Sequence, residues 1–188
     1  MNFEKSELHA VVREGYHILL RADAQLLLPT EQQQIRQFYE RLSDTCMKWA
    51  EEVYGERLRK EYREMESVKE KSQFRTQRYL FSMGIPWEEG KWAAILCEST
   101  LTGQWKDPQK SYHRISHVWN TEEQTVLPFS QILETFGMHL EKQQLPFRPD
   151  GIYPQGEEMV FFRNITNQTR FLESRLPRTD GKNKKDFI

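Results

Sequence analysis

From Thr30 to Met65 the apolar residues recur every three or four positions, and from Phe74 onward they alternate with polar ones. Three-four spacing lines one face of a helix and alternation lines one face of a strand, so the two stretches are different kinds of element. In the first, Ile35, Phe38, Leu42, Cys46, Trp49 and Val53 form a stripe that Tyr39 and Ala50 widen. Thr30, with Gln33 three residues on, reads as a capping box after Pro29. Past Gly55 the stripe resumes at Leu58, Tyr62 and Met65, one residue out of phase, which places a kink at Gly55. Glu56 and Lys60, Arg57 and Glu61, and Lys60 and Glu64 stand four apart, a solvated outer face. The pattern predicts a helix over residues 31 to about 70 with Trp49 in the core, where truncation to alanine would cost about 3–5 kcal/mol.

Before this helix, Tyr16, Ile18, Leu20, Ala22, Ala24, Leu26 and Leu28 keep a period of two. Leu8 to Val12 and the turn Arg13-Glu14-Gly15 complete a hairpin with it. A helix over residues 6 to 22 is the competing reading, since Leu8, Val11, Val12 and Leu19 also share a stripe. After the helix, strands are expected up to Ile85, closed by Pro86, then from Trp92 to Leu101 and from Tyr112 to Trp119. Connections this short imply an antiparallel meander packed on the helix. Pro128 and Ser130 introduce a short helix with Ile132, Leu133, Phe136 and Leu140 inside, and Leu145 to Tyr153 pairs with Met159 to Arg163. The expected fold is therefore α+β: a long amphipathic helix on an antiparallel sheet, in the order hairpin, helix, three-stranded meander, short helix and closing strand pair. Residues 1–176 read as a single domain, and residues 177–188 as a basic, disordered tail.

Composition narrows the function classes. The 188 residues include 11 Phe, 7 Tyr and 5 Trp, enough aromatic surface for a core although hydrophobic residues are only 37% of the chain. Lys plus Arg number 27 against 28 Asp plus Glu, so no global field draws the chain to nucleic acid or an anionic membrane. No apolar run reaches the roughly 20 residues that span a bilayer, and the N-terminus lacks a secretory pattern. With two cysteines, Cys46 and Cys97, and no disulfide framework, a cytoplasmic location is expected. The sequons at Asn164 and Asn167 carry weight only in a secreted eukaryotic chain.

No catalytic constellation emerges. His113 and His117 have the spacing that chelates zinc on a helix, but their segment reads as a strand, which separates their Cα atoms by roughly 13 Å. Arg114 stands where a zinc-protease glutamate would be needed. Cys46 and Cys97 sit among apolar neighbours as small hydrophobes, and Glu98 reads as a polar residue on a strand face. Glycine-rich phosphate loops and nucleophile elbows are absent. Trp87, Trp92 and Trp119 read as core against the helix, whereas Trp105, in a polar loop beside Lys106 and Lys110, reads as an exposed anchor for a partner. The expectation is no metal, no cofactor, no nucleic acid and no membrane insertion, with a protein as partner.

Several short signatures fall in a familiar order: Ile35-Arg36-Gln37-Phe38-Tyr39, Ser99-Thr100-Leu101-Thr102-Gly103, Leu127-Pro128-Phe129, Gly151-Ile152-Tyr153 and Met159-Val160-Phe161-Phe162. Over residues 16 to 165 the chain resembles the RsiV-like domain, known from the ectodomains of bacterial anti-sigma factors and beside some polysaccharide deacetylases. The resemblance implies an α+β fold and a binding role, which in the anti-sigma relatives is recognition of lysozyme. It carries over no functional residue. The reading is a non-enzymatic binding or regulatory module; a small metal- or thiol-dependent hydrolase using His113, His117, Glu98 or Cys97 is the alternative.

Overall fold

A computed structural model of the chain describes residues 1–102, 111–138, 145–165 and 171–178. The elements run β1 (Phe3–Glu14), β2 (His17–Pro29), α1 (Gln33–Trp49), a π turn (Ala50–Tyr54), α2 (Gly55–Arg63), α3 (Val68–Gln73), β3 (Gln77–Glu89), β4 (Trp92–Thr102), β5 (Ser111–Asn120), β6 (Thr125–Val126), α4 (Phe129–Thr135), β7 (Gly151–Gln155), β8 (Glu158–Arg163) and β9 (Leu172–Pro177). Six strands lie in the order β1-β2-β3-β4-β5-β6, and β7-β8-β9 make a second sheet.

This overturns the expected fold class of a long helix on an antiparallel sheet. Strands dominate the described residues, and the larger sheet is mixed, because β2 and β3 run parallel with Leu20 opposite Gln77 and Gln25 opposite Ser82. A parallel pair needs a crossover of a dozen or more residues, and the helical stretch between Pro29 and Gln77 supplies it. The helix is thus a connection rather than a layer awaiting a meander. Likewise the closing pair is a three-stranded sheet, with β9 added antiparallel to β8.

The chain forms two compact units. The first contains Met1–Met83 and Glu98–His113. Here β1 and β2 form the hairpin, antiparallel from Phe3 opposite Pro29 to Glu14 opposite His17, so the helix over residues 6 to 22 does not form. Leu20, Ala22, Ala24, Leu26 and Leu28 are buried, as their alternation requires. Both α1 and α2 pack on β2, and α2 also touches β1.

The helix buries Ile35, Tyr39, Ala50, Leu58 and Tyr62 of the expected stripe, but between them the buried line runs through Ser43, Met47 and Tyr54, each one position beyond the expected Leu42, Cys46 and Val53. Phe38, Trp49 and Val53 are left 38%, 47% and 56% exposed. The expected cap is also displaced. Gln32 caps α1 without a side-chain bond, and the Thr30 hydroxyl donates to the Asn2 carbonyl at 3.3 Å. The capping box forms instead at α3, between Ser67 and Glu70.

The phase change near Gly55 comes from the π turn before it, whose wider winding shifts the register. Gly55 has another task. A Cβ there would stand 2.8 Å from Cγ2 of Val12, so the absent side chain lets the helix approach β1. Arg63 then clamps α2 to the hairpin end with Nε and a terminal nitrogen at 2.8 and 3.0 Å from the two oxygens of Glu14. Those hydrogen bonds from Arg63 hold the Glu14 carboxyl below its usual range.

The second unit contains Gly84–Cys97 and Arg114–Ile165, with the described residues from Phe171 on. Val118, Leu127, Ile132, Phe136, Met138, Ile152, Met159 and Phe161 form its main core. Trp87 and Trp92 pack on that cluster, around Phe136 beside α4, and Trp119 is buried. Pro86 lies within β3 and does not close it. Opposite Phe162, Gly151 would bring a Cβ to 2.3 Å from its ring, which accounts for a glycine at the start of β7. Pro177 ends β9, and Arg178 donates to Glu89 and to the Gly156 carbonyl while lying 5.0 Å from the Trp87 ring. The rest of the expected tail, residues 179–188, lies outside the described residues, as does Leu140.

The Gly55 contact yields a test. Gly55→Ala gains helix propensity of about 1 kcal/mol but collides with stiff Val12, for a net loss of about 1–2 kcal/mol. Urea denaturation of both single variants and of Gly55→Ala/Val12→Ala should show the double variant less destabilised than the sum of the singles.

Candidate functional site

Within the first unit lies a cavity of about 410 Å³ lined by Thr45, Cys46, Trp49, Tyr79, Ser99, Thr100, Leu101 and His113. Three elements build it. From α1, Trp49 stands four residues beyond Thr45 and three beyond Cys46, the two spacings that make side chains neighbours on a helix. Tyr79 comes from β3, and Ser99, Thr100 and Leu101 come from β4.

The walls are aromatic on one side and polar on another. The Trp49 indole stacks on Tyr54 with centroids 6.4 Å apart and 14° between planes, and meets Tyr79 at 6.1 Å. A half-exposed Trp held between two rings keeps its orientation without being sealed in the core. Opposite it, the Tyr79 hydroxyl hydrogen-bonds with the Cys46 thiol and the Ser99 hydroxyl. Thr45 donates its hydroxyl proton to the Arg41 carbonyl at 2.8 Å.

Both titratable groups of this polar chain stay protonated. Burial pushes the Cys46 thiol above its ordinary value, only partly offset by the Tyr79 hydrogen bond. Burial raises Tyr79 further still, and the neighbouring Cys46 adds to it. A nucleophilic thiol needs the opposite shift, supplied by a cation or a helix N-terminus. Cys46 instead sits near the C-terminal end of α1.

The residues singled out in the sequence are dispersed. His113 and His117 lie on a strand, β5. His113 is exposed at the cavity, whereas burial in the second unit holds the His117 imidazole below its ordinary range, in the neutral form. Cys97 is buried in β4 of the second unit, and the Glu98 carbonyl accepts from Ser82 at 3.5 Å. Among the described residues no group of three or more His, Cys, Asp or Glu is placed to hold a metal ion. Trp105 lies outside the described residues.

Arg114, at the position a zinc-protease glutamate would need, is a structural cation. Its guanidinium is 3.6 Å from the Phe171 ring centroid and 5.5 Å from that of Phe162, and it donates to Glu173 at 3.2 Å. The first sequon is occupied structurally: the Asn164 amide donates to the Arg114 carbonyl at 2.9 Å while its oxygen accepts from the Arg114 N–H at 2.8 Å. Asn167 lies outside the described residues. Thr45, Trp49, Tyr79, Ser99, Thr100 and Leu101 are the cavity residues that sequence reasoning did not single out as a site. The available signal was the pairing of Thr45-Cys46 with Trp49 on one helix face, together with the hydroxyl run Ser99-Thr100 in a strand.

Two outcomes follow from this geometry. Trp49→Ala should cost about 1–2 kcal/mol in denaturant unfolding, well short of the figure for a core tryptophan, because half the indole is already in water. Raised folded values for Cys46 and Tyr79 mean that the folded chain holds protons the unfolded chain releases. Their contribution is complete below the ordinary values of 9.0 and 10.0 and is lost as pH rises beyond them, so alkaline thermal denaturation should be milder in Tyr79→Phe/Cys46→Ala.

Comparison with known proteins bears on the fold alone. No protein-family model and no curated protein matches the chain. Among the solved structures similar to it are two DUF3298 family proteins. One, from Pseudomonas aeruginosa PAO1, has a TM-score of 0.54 at 11% identity, over 93% of this chain and 88% of that one. The other, from Bacteroides fragilis NCTC 9343, has a TM-score of 0.57 at 9% identity, over 93% of this chain and 89% of that one. At such identities the likeness is one of chain path, and residue roles do not transfer. Among the described residues no helix is long and apolar enough to cross a membrane.

Proposed function

We propose that this chain is a non-enzymatic binding module, of the RsiV-like type, whose ligand enters the cavity beside Trp49. The observation that carries the reading is the half-exposed, ring-clamped Trp49 at a cavity of about 410 Å³ whose thiol and phenol are held in their neutral forms. A cavity of that size, mostly apolar with a few directed polar groups, has the ordinary makeup of a ligand site. The π turn at Ala50–Tyr54 directly follows Trp49, and such turns recur at functional sites. The RsiV-like part of the reading draws on the short sequence signatures and on the DUF3298 neighbours, which share the architecture and are themselves of unknown function.

A thiol-dependent hydrolase has one observation in its favour, since Cys46 and His113 line the same cavity. Against it stand the upward shift of Cys46 and its bond to the Tyr79 phenol. Iodoacetamide should therefore alkylate Cys46 more slowly at pH 7 than it does free cysteine; faster alkylation would favour the hydrolase.

Binding is tested with a fragment library of mixed charge, screened by ligand-observed NMR against the full chain and against Thr45→Trp. Thr45 is on the exposed side of α1, so the larger ring blocks the cavity without entering the core. Fragments should bind the parent chain and be lost from the variant at unchanged circular dichroism. Binding that survives in the variant would place the ligand elsewhere and refute the reading.

A further inference from the structure

The lining of the cavity defines the ligand's chemistry more sharply than its volume does. Resting on the binding role above, we propose that the cavity takes an uncharged, flat ring that carries a hydroxyl, a phenol-type ligand, with the ring against Trp49 and the hydroxyl donated to Thr45.

Three observations converge on it. First, Thr45 has one hydroxyl proton, and it is committed to the Arg41 carbonyl at 2.8 Å. What this hydroxyl offers the cavity is lone pairs, so the group that meets it must be a donor. Second, the Trp49 and Tyr79 rings, with centroids 6.1 Å apart, give the cavity an aromatic wall, and Tyr54 stacks on the indole from outside the lining at 6.4 Å. Offset stacking or edge contact on such a wall favours a planar apolar ring over a branched aliphatic group. Third, no carboxylate, lysine or arginine is among the described lining residues, whose titratable members are Cys46, Tyr79 and His113. The first two are neutral at pH 7. Away from His113, an ion moved from water to this wall would lose hydration and meet no group of opposite charge.

Selectivity follows from the same contacts. Toluene matches phenol's ring but leaves Thr45 without its donor. Benzoate brings only acceptors to the Thr45 hydroxyl, with a charge besides. One well-made hydrogen bond separates such ligands by about tenfold in affinity.

The test is amide chemical-shift titration of the full chain with phenol, toluene and benzoate. Phenol should shift the amides of Thr45, Cys46, Trp49, Ser99 and Thr100 and bind about tenfold tighter than either analogue. Thr45→Val, which keeps the shape and removes the acceptor, should bring phenol down to the level of toluene while leaving toluene unchanged. Benzoate or toluene binding as well as phenol, or a Thr45→Val variant that keeps the preference, would overturn the assignment. If fragments of mixed charge still occupy the cavity in that case, the ligand class fails alone. If no probe or fragment moves these amides, the binding role fails with it.

Discussion

The parallel pairing of β2 with β3, Leu20 to Gln25 against Gln77 to Ser82, is what the rest of the first unit depends on, because it dictates where the intervening chain must go. With β1 hydrogen-bonded along one edge of β2 and β3 along the other, the segment between Pro29 and Gln77 has to cross over the sheet. Its apolar line covers the buried row Leu20, Ala22, Ala24, Leu26 and Leu28. Close approach then becomes a requirement at particular points. Gly55 meets it against Val12, and the Tyr54 hydroxyl meets the buried amide of Gln77 at 3.0 Å, which satisfies a polar group that would otherwise be costly inside.

The cavity is a by-product of this crossover. As α1 passes over the sheet, Trp49, the last residue before the π turn, stands one position off the buried Ala50, and its indole lies against Tyr54 and Tyr79. On the other wall, desolvation keeps the Cys46 thiol and the Tyr79 phenol protonated, so their hydrogen bonds are exchanged among Cys46, Tyr79 and Ser99. Two groups that would be nucleophile and general base elsewhere are made inert by burial without a compensating cation. The proposed neutral ligand matches that neutrality.

Sequence legibility varied with the range of the interactions involved. The hairpin, the helical stretch and the strand character of His113 to His117 follow from spacing along a few residues, and the alternation from Ile18 to Leu28 matched the burial along β2. The burial of Trp49 did not follow. Its apolar arc is two residues wide, containing both Phe38 and Tyr39, both Cys46 and Met47, both Trp49 and Ala50, and spacing alone does not say which edge meets the sheet. The Thr30 cap misled for a similar reason: the hydroxyl found the carbonyl of Asn2, just ahead of β1, that no local rule anticipates.

What the sequence by itself determined is therefore the kind of element at each place, since helix, strand and turn preferences are set by neighbours within a turn or two. The tertiary structure alone decided strand direction, the face of the helix that is buried, and the meeting of Thr45, Cys46 and Trp49 with Tyr79, Ser99 and Thr100. Those residues belong to α1, β3 and β4, and only the crossover brings them to one cavity. Contacts across such a span are selected by how the whole unit buries its apolar surface, a global minimum that leaves no trace in the spacing of any one segment.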